Sequence, residues 1–377
     1  MIKKKLFTPG PCEIPPSVFK AMSTIEHHRT SQFKKNILEI QKGLQYLFQT
    51  GQPVLTLSSS GTGAMEAAIT NTFSPQDLVL VIDGGKFGER WGEISRCFGL
   101  EVITLQIPWG KAVEPSQIEN IFEKHPTIKG VLIQACETST GVAHPIEEIA
   151  RFIKEKPNTL MVVDAISALL TMPLPMDEWG LDIVVAGSQK GLMLPPGLSF
   201  IALSQKASRF EAQSKLPRFY FDLKKEKQSL EESTTSYTTP VTLMLGLKEA
   251  LRLICQKGLE TIFETYNLYS RVVRTTIEAW GLKVFAEPGA PGMTAVCAPR
   301  NVSGTHIVKK LKENFDITIA AGQEDYKDKI FRLSYMGYIE PEDVFYLLES
   351  LQKVLLELKV PIHTKGVLEK AKSQLKL

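Results

Sequence analysis

A lysine and an aspartate, each placed directly after an apolar segment, are the two side chains best suited to act together on a bound cofactor. Lys190 follows the apolar run 183–187 and precedes a turn rich in glycine and proline, while Asp164 ends the apolar run 159–163. A lysine amine forms a Schiff base with an aldehyde, and a carboxylate keeps a ring nitrogen protonated. Taken singly, such residues are more often a solvated loop lysine and a helix cap.

Ser60, Gly61 and Thr62 lie in a run of small and hydroxyl residues where a predicted strand passes into a predicted helix, 64–71. Small residues let the backbone approach an anion, and the first N–H groups of a helix point toward it. The run matches neither the Walker A loop nor the Gly-x-Gly-x-x-Gly pattern, and such runs are more often simple helix caps. Together with Lys190 and Asp164, this phosphate cup (residues 60–62) indicates pyridoxal phosphate (PLP).

Four further residues stand at the ends of predicted strands or within one. Phe87, between glycines, either stacks on a planar cofactor or covers the core of its own domain. Thr138 and Ser139 either reach a phenolic oxygen of the cofactor or satisfy their own turn. Arg332, in the last apolar strand, requires an anion, which is either a substrate carboxylate or an internal carboxylate.

Between residues 53 and 203 the sequence alternates predicted strands with predicted helices, and the strands are continuous apolar runs. Such runs are typical of strands covered by helices on both faces, so we predict an α/β domain with a mostly parallel sheet. In sheets of this kind ligands bind at the carboxyl ends of the strands. Residues 205–240 read as a charged loop. We expect an N-terminal arm (1–16), a large cofactor-binding domain (17–257) and a small α+β domain (258–377).

Composition narrows the range of functions. The 377 residues include 44 basic and 41 acidic side chains, a net charge of +3 that argues against a nucleic-acid partner. No apolar run approaches the roughly 20 residues of a membrane span, and no signal peptide is expected. The scattered cysteines include no Cys-x-x-Cys pair, which predicts a cytoplasmic protein with reduced thiols and no metal site. These cysteines are Cys12, Cys97, Cys136, Cys255 and Cys297.

Taken together, the motifs resemble the class V, fold-type I PLP-dependent aminotransferases of the alanine–glyoxylate, serine–pyruvate and serine–glyoxylate group. This resemblance implies a large domain with a seven-stranded, mostly parallel sheet between helices, and a smaller α+β C-terminal domain. The resemblance spans nearly the whole chain in the right order. The matching segments are 7–11, 60–66, 164–167, 187–197, 237–241 and 331–337.

The resemblance implies a role for each catalytic candidate. Lys190 would form the Schiff base with PLP and, once released, would act as general base and acid. Asp164 would pair with the pyridinium nitrogen. Phe87 would stack on the ring, and Thr138 or Ser139 would hydrogen-bond its phenolic oxygen.

The resemblance also implies how the phosphate is held. Ser60, Gly61, Thr62 and Gln189 would bind it within one subunit. Thr238, with Tyr237 beside it, would reach the same phosphate from the partner subunit of a homodimer.

For the substrate, the resemblance implies that Arg332 binds the α-carboxylate, with the backbone near Gly10 close by. The chain has Ser334-Tyr335 where the family often has Gly-His, and this departure leaves the choice of substrate open. The pair His27-His28 matches a family stretch near the site entrance; it either contacts substrate or forms a surface loop.

The implied activity is ping-pong transamination from a small amino acid, alanine or serine, to a 2-oxo acid, glyoxylate or pyruvate. Two alternatives stay open: a 2-aminoethylphosphonate–pyruvate transaminase, which keeps the lysine motif, and a non-catalytic fold-type I subunit, since some relatives have a hydrogenase-subunit label. A scaffold has no need of a paired buried lysine and carboxylate. A cysteine desulfurase is disfavoured, because it would have a histidine before the lysine, where this chain has Gln189.

Overall fold

The computed structural model describes residues 5–377, so the first four residues of the expected N-terminal arm lie outside the described residues. The described residues form thirteen strands: β1 (Lys5–Phe7), β2 (Val54–Leu57), β3 (Leu78–Asp83), β4 (Glu101–Gln106), β5 (Gly130–Gln134), β6 (Cys136–Glu137), β7 (Val142–Ala143), β8 (Leu160–Asp164), β9 (Ile183–Gly187), β10 (Ser199–Leu203), β11 (Met293–Cys297), β12 (Ile317–Ala321) and β13 (Ile330–Ser334).

Fourteen α-helices accompany these strands in the described part of the chain. They are α1 (Pro16–Met22), α2 (Ser31–Phe48), α3 (Gly61–Thr72), α4 (Lys86–Cys97), α5 (Pro115–Lys124), α6 (Ile146–Lys154), α7 (Met176–Trp179), α8 (Gln205–Glu211), α9 (Leu223–Glu231), α10 (Val241–Lys257), α11 (Leu259–Ala279), α12 (Gly304–Phe315), α13 (Pro341–Glu357) and α14 (Val367–Gln374). No helix among residues 5–377 combines the length and the apolar character needed to cross a membrane.

The large sheet has seven strands in the order β2-β10-β9-β8-β5-β3-β4. The neighbours from β9 to β4 are parallel, and β10 runs antiparallel to both β9 and β2. Side chains of β8 alternate between two core clusters: Met161 and Val163 belong to one, and Leu160 and Val162 to the other. Both faces are therefore covered, which confirms the prediction from continuous apolar runs.

The parallel register sets the position of Asp164. It is the last residue of β8 and lies between Gln134 of β5 and Val185 of β9. A different buried carboxylate, Asp182, lies at the opposite end of the sheet, just before β9. It accepts hydrogen bonds from Met161 N (2.9 Å) and Ser204 Oγ (2.8 Å) and pairs with Lys206 at 2.9 Å.

The second sheet has four strands in the order β1-β12-β13-β11. Strand β1 pairs in parallel with β12, so the start of the described chain is built into the sheet that contains Arg332. Inside this fold the Lys5 ammonium pairs with Asp343 at 2.6 Å. Gly258 separates α10 from α11, and the domain boundary expected after residue 257 stays a prediction.

Two local predictions are wrong. Residues 205–240 include helices α8 and α9, each started by a side-chain cap: Ser204 accepts from Ala207 N, and Asp222 accepts from Lys225 N. Such caps satisfy first-turn N–H groups and permit short helices in a polar segment. The sequence also predicts a strand near residues 283–285, and in the structure this segment forms only a single bridge, between Val284 and Val296.

Candidate active site

Lys190 is buried in the turn after β9, with 8% of its surface exposed. Its Nζ donates a hydrogen bond to the carbonyl of Pro9. The next residue, Gly10, has φ +118°, and a methyl group there would lie 2.7 Å from Lys190 Cδ and 2.8 Å from Gln189 O. Only glycine both adopts this backbone conformation and leaves room for the lysine.

Asp164 is buried on the same edge of the sheet, and Oδ1 accepts from Ile166 N at 2.7 Å. Oδ2 receives no hydrogen bond within residues 5–377 and is free to face a protonated ring nitrogen. Burial raises the pKa of Asp164 to about 7, and the charge of Glu137 adds to the rise. Burial lowers the pKa of Lys190, against the opposing charges of Cys12 and Asp164. The two groups are close enough to influence each other's charge state.

The phosphate cup lies at the first turn of α3, which begins at Gly61, three residues earlier than the predicted start at residue 64. Ser60 is the N-cap residue, and its side chain makes no capping hydrogen bond. A Cβ atom on Gly61 would collide with Ile166, which fixes the helix start against the segment that follows Asp164. Gly63 N donates to Ser60 O at 2.9 Å, so the N–H groups of Gly61 and Thr62 and the Ser60 hydroxyl are the donors available to an anion.

Gln189 lies beside this cup. A Cβ atom on Gly187 would be 3.2 Å from Gln189 Oε1 and 3.7 Å from Gly61 Cα. Gln189 Oε1 is buried and has no hydrogen-bond partner in the described chain. Because buried polar groups are almost always partnered, this amide indicates a place for a polar ligand.

Arg90 is a residue of the site that the sequence analysis missed. Its guanidinium lies 4.9 Å from the centre of the Phe87 ring, and Nη1 donates to Thr62 Oγ1 at 3.3 Å. No carboxylate of residues 5–377 forms an ion pair with it. Residues three apart on a helix lie on the same face, so the position of Arg90 three residues after Phe87 could have indicated that the two side chains are neighbours. Arg90 therefore adds positive charge at the phosphate cup.

Thr138 and Ser139, both buried, form the turn between β6 and β7. The Ser139 hydroxyl donates to Glu137 and accepts from Lys86 N at 3.2 Å, so its proton is already committed. Thr138 Oγ1 donates to Ser167 Oγ at 2.7 Å. Thr138 is therefore the better of the two candidates to hydrogen-bond the phenolic oxygen of the cofactor. Its hydroxyl can turn from Ser167 to that oxygen.

Arg332, also buried, is held by backbone carbonyls. Nε and Nη2 donate to Ala321 O at 3.0 and 2.8 Å, and Nη1 donates to Thr138 O at 2.7 Å. A guanidinium has five N–H donors, so one remains on each terminal nitrogen, the arrangement that binds a carboxylate through two hydrogen bonds. Burial lowers the pKa of Arg332 to about 10. No internal salt bridge uses this fork within the described residues, although the sequence left that option open.

Ser334 and Tyr335, which replace the Gly-His usual in the family, are committed to the interior. Tyr335 is fully buried, and its hydroxyl lies 2.9 Å from Thr294 Oγ1. Ser334 Oγ accepts from Met336 N at 3.3 Å and donates to Gly292 O at 3.4 Å. Neither hydroxyl is bonded to the Arg332 fork.

Tyr237 and Thr238 lie in the segment between α9 and α10. They line a small cleft with Ser58, and the Tyr237 hydroxyl donates to Phe219 O at 2.8 Å. No hydrogen bond among residues 5–377 joins either residue to positions 60–62. His27 and His28 stack on each other at 4.7 Å in a loop at the protein surface.

Comparison with known proteins identifies the family. The family model described as aminotransferase class-V matches residues 6–347. The chain belongs to the class-V aminotransferases. A relative from Synechococcus sp. strain PCC 6716, named soluble hydrogenase, small subunit, is 38% identical over 97% of this chain and 96% of its own. The L-aspartate–glyoxylate aminotransferase of Paracoccus denitrificans is 34% identical over 95% of this chain and 92% of its own.

Among solved structures, alanine–glyoxylate aminotransferase from Nostoc sp. superposes with a TM-score of 0.89 at 31% identity, covering 94% of this chain and 96% of that one. This class-V aminotransferase therefore has the fold-type I architecture and is a PLP-dependent enzyme. The residues present fit the cofactor: a buried lysine, a carboxylate with one free oxygen, and a helix start with an uncommitted hydroxyl.

The raised pKa of Asp164 generates a prediction for the apoenzyme. Because its pKa is about 7 in the folded chain, against an ordinary value of 3.8, the folded state binds the proton more tightly than the unfolded state does. The wild-type apoenzyme therefore loses stability as pH rises from 4 to 7, by up to a few kcal/mol for a shift of this size. Asp164→Asn removes that loss. We expect its apoenzyme to have a higher Tm than wild type at pH 8 and an equal Tm at pH 4, measured by scanning calorimetry.

The close packing of Gly10 on Lys190 generates a second prediction. Gly10→Ala places a methyl group against the lysine and strains a positive-φ position by about 1–2 kcal/mol. We expect lower stability and less PLP trapped on Lys190 by borohydride, quantified by mass spectrometry. Gly366→Ala is the control, because its φ of +74° gives similar strain with no atom within 4 Å. Equal trapping in the two variants would contradict the steric role of Gly10.

Proposed function

We propose that this enzyme moves the amino group of a small amino acid, alanine or serine, to a 2-oxo acid, with glyoxylate favoured over pyruvate as acceptor. The observation that most directly supports substrates with an α-carboxylate is the pair of uncommitted N–H groups on Arg332 in the site of Lys190. The charge of Arg332 is near enough to act on the pKa of Lys190. A carboxylate bound by Arg332 would thus bring its α-carbon to the lysine. Both transaminase relatives described above have glyoxylate in their names.

Bound PLP supplies an electron-withdrawing ring that acidifies the α-proton of an attached amino acid. Lys190 is suited to take that proton, because burial favours its neutral amine. Asp164 provides the negative charge that keeps a ring nitrogen protonated. Arg332 orients the substrate carboxylate, and the segment at Pro9 and Gly10 covers the lysine from solvent. The keto acid leaves before the second substrate binds, which makes the cycle ping-pong.

Two alternatives from the sequence are weaker. A 2-aminoethylphosphonate donor has a phosphonate in place of the α-carboxylate, and neither transaminase relative described above is named for such a donor. A non-catalytic subunit, suggested by the name of the hydrogenase-labelled relative, has no use for a buried lysine whose pKa is lowered. An amine and a carboxylate in the interior disfavour folding unless a ligand uses them.

We further propose that the active unit is a homodimer. Within residues 5–377, Tyr237 and Thr238 make no hydrogen bond to the phosphate cup of their own chain, and the family resemblance assigns them to the phosphate of a second subunit. Tyr237 lies beside exposed apolar groups: Phe219 is 77% exposed with its ring centre 6.1 Å from that of Tyr237, and Tyr220 stacks on Tyr237 at 5.0 Å. Exposed aromatic clusters are typical of protein interfaces.

Phe219→Glu tests the dimer. A buried, unpaired charge at an interface disfavours association, so we expect a monomer by light scattering and weaker PLP binding than in wild type. Phe345→Glu, on the half-buried surface of α13, serves as the control for an added charge. A Phe219→Glu protein that remains dimeric and binds PLP normally would remove this surface from the proposal.

Lys190→Ala tests the reaction itself. We expect loss of the visible band of the lysine-bound cofactor and a fall in turnover of about three orders of magnitude or more, because the proton carrier is gone. Lys353→Ala, at an exposed ion pair with Glu349, is the control. Turnover retained in the Lys190→Ala enzyme would refute the assignment.

The substrates are identified by following the visible band of the wild-type holoenzyme. L-Alanine, L-serine, L-aspartate and 2-aminoethylphosphonate are added one at a time, and glyoxylate or pyruvate is then supplied to restore the band. We expect alanine or serine to shift the band and glyoxylate to reverse it. A response to 2-aminoethylphosphonate alone would replace the proposed substrate class.

A further inference from the structure

We propose that Glu137 is a positioning residue whose buried carboxylate holds the ring of Phe87 and the turn of Thr138 and Ser139 in the arrangement that PLP requires. Glu137 was not among the candidates from the sequence. The proposal rests on the function proposed above, in which Phe87 stacks on the cofactor and Arg332 binds the substrate carboxylate.

Five hydrogen bonds converge on this carboxylate, which has no exposed surface. Oε2 accepts from Phe87 N at 3.2 Å, from Gly88 N at 3.1 Å and from Gln134 Nε2 at 3.0 Å. Oε1 accepts from Ser139 N at 3.0 Å and from the Ser139 hydroxyl. Apart from Gln134, every donor belongs to a segment assigned to the cofactor.

The carboxylate joins two separate walls of the site. One wall is the first turn of α4, where a negative charge also complements the positive end of the helix dipole. The opposite wall is the turn between β6 and β7. A Cβ atom on Gly85 would lie 2.6 Å from the Glu137 carboxyl carbon, so the two walls are in direct contact through this side chain.

The turn between β6 and β7 also connects Glu137 to the proposed substrate contact, Arg332. Thr138 O accepts from Arg332 Nη1 at 2.7 Å, so a shift of the turn moves the guanidinium that receives the carboxylate. The charge of Glu137 also acts on Arg332, because it opposes the fall in the Arg332 pKa that burial causes. Loss of Glu137 therefore disturbs both the cofactor and the substrate contacts.

A carboxylate is required here, and an amide of the same size is not equivalent. All five partners are N–H or O–H donors, and glutamine would direct an NH₂ group at two or three of them. A buried donor that faces another donor is left without a hydrogen bond, which is strongly unfavourable. Glu137→Gln is thus a sharper probe than a deletion of the side chain, because volume is kept.

The experiment compares three variants as holoenzymes: Glu137→Gln, Ser139→Ala, and Asp182→Asn. Asp182→Asn is the matched control, because that buried carboxylate also accepts backbone and hydroxyl bonds but lies at the opposite end of the same sheet. The measurements are Tm, the Kd for PLP, the visible circular dichroism of the bound cofactor, and KM and kcat for the amino donor.

We expect Glu137→Gln to weaken PLP binding by about tenfold or more, to change the circular dichroism, and to raise KM for the amino acid. Ser139→Ala keeps the three backbone donors and should show the same changes at smaller size. Asp182→Asn should lower Tm while the Kd and the circular dichroism stay as in wild type.

Two results would overturn the proposal: wild-type Kd and circular dichroism in Glu137→Gln, or the same spectral change in Asp182→Asn, which would indicate general destabilisation. If Glu137→Gln does not fold, Ser139→Ala decides, and an unchanged spectrum there refutes the role. If wild type binds PLP but converts none of the amino acids, the proposed function fails while the cofactor measurements still decide the role of Glu137.

Discussion

Burial of charged groups at one edge of the large sheet is the constraint on which the rest of the site depends. Glu137 accepts five hydrogen bonds and Arg332 donates three, so their charges are stabilised by fixed dipoles. Asp164 accepts one, and Lys190 donates one to Pro9. Burial disfavours the charged form of a side chain, and each hydrogen bond to the charged form reduces that cost. The hydrogen bonds of Glu137 and Arg332 therefore hold neighbouring segments in place, while Lys190 and Asp164 keep most of their hydrogen-bonding capacity for a ligand.

The sequence was sufficient for the large sheet and for the positions of Lys190 and Asp164, because continuous apolar runs and strand ends are local patterns. The contact of Pro9 with Lys190 joins residues 181 positions apart, and no local pattern indicates it. Glu137 and Arg90 escaped notice because each looks like an ordinary surface charge until the fold brings its partners together. The short helices α8 and α9 depend on single capping side chains within a polar segment, which the apolar period does not reveal.

Arg332 matches the family pattern, whereas Ser334 and Tyr335 depart from it. In the proposed function, Arg332 binds the α-carboxylate, a group present in every α-amino acid and 2-oxo acid, so this contact would not discriminate between such donors. Ser334 and Tyr335 are bonded to Gly292, Met336 and Thr294 inside the chain. Their difference from the usual Gly-His is therefore absorbed by interior packing. Two relatives of similar overall identity are named for different amino donors, L-aspartate and alanine.

Strand β1 connects the position of Lys190 to the small sheet. Residues 5–7 are hydrogen-bonded to β12, while Pro9 and Gly10, only two and three residues further on, press against Lys190. A connection this short allows little independent movement, since each residue spans at most about 3.6 Å. Arg332 lies in the same small sheet. A rigid-body movement of that sheet would therefore shift the Arg332 guanidinium, together with the Pro9–Gly10 segment that lies over the Lys190 amine, as one mechanical unit.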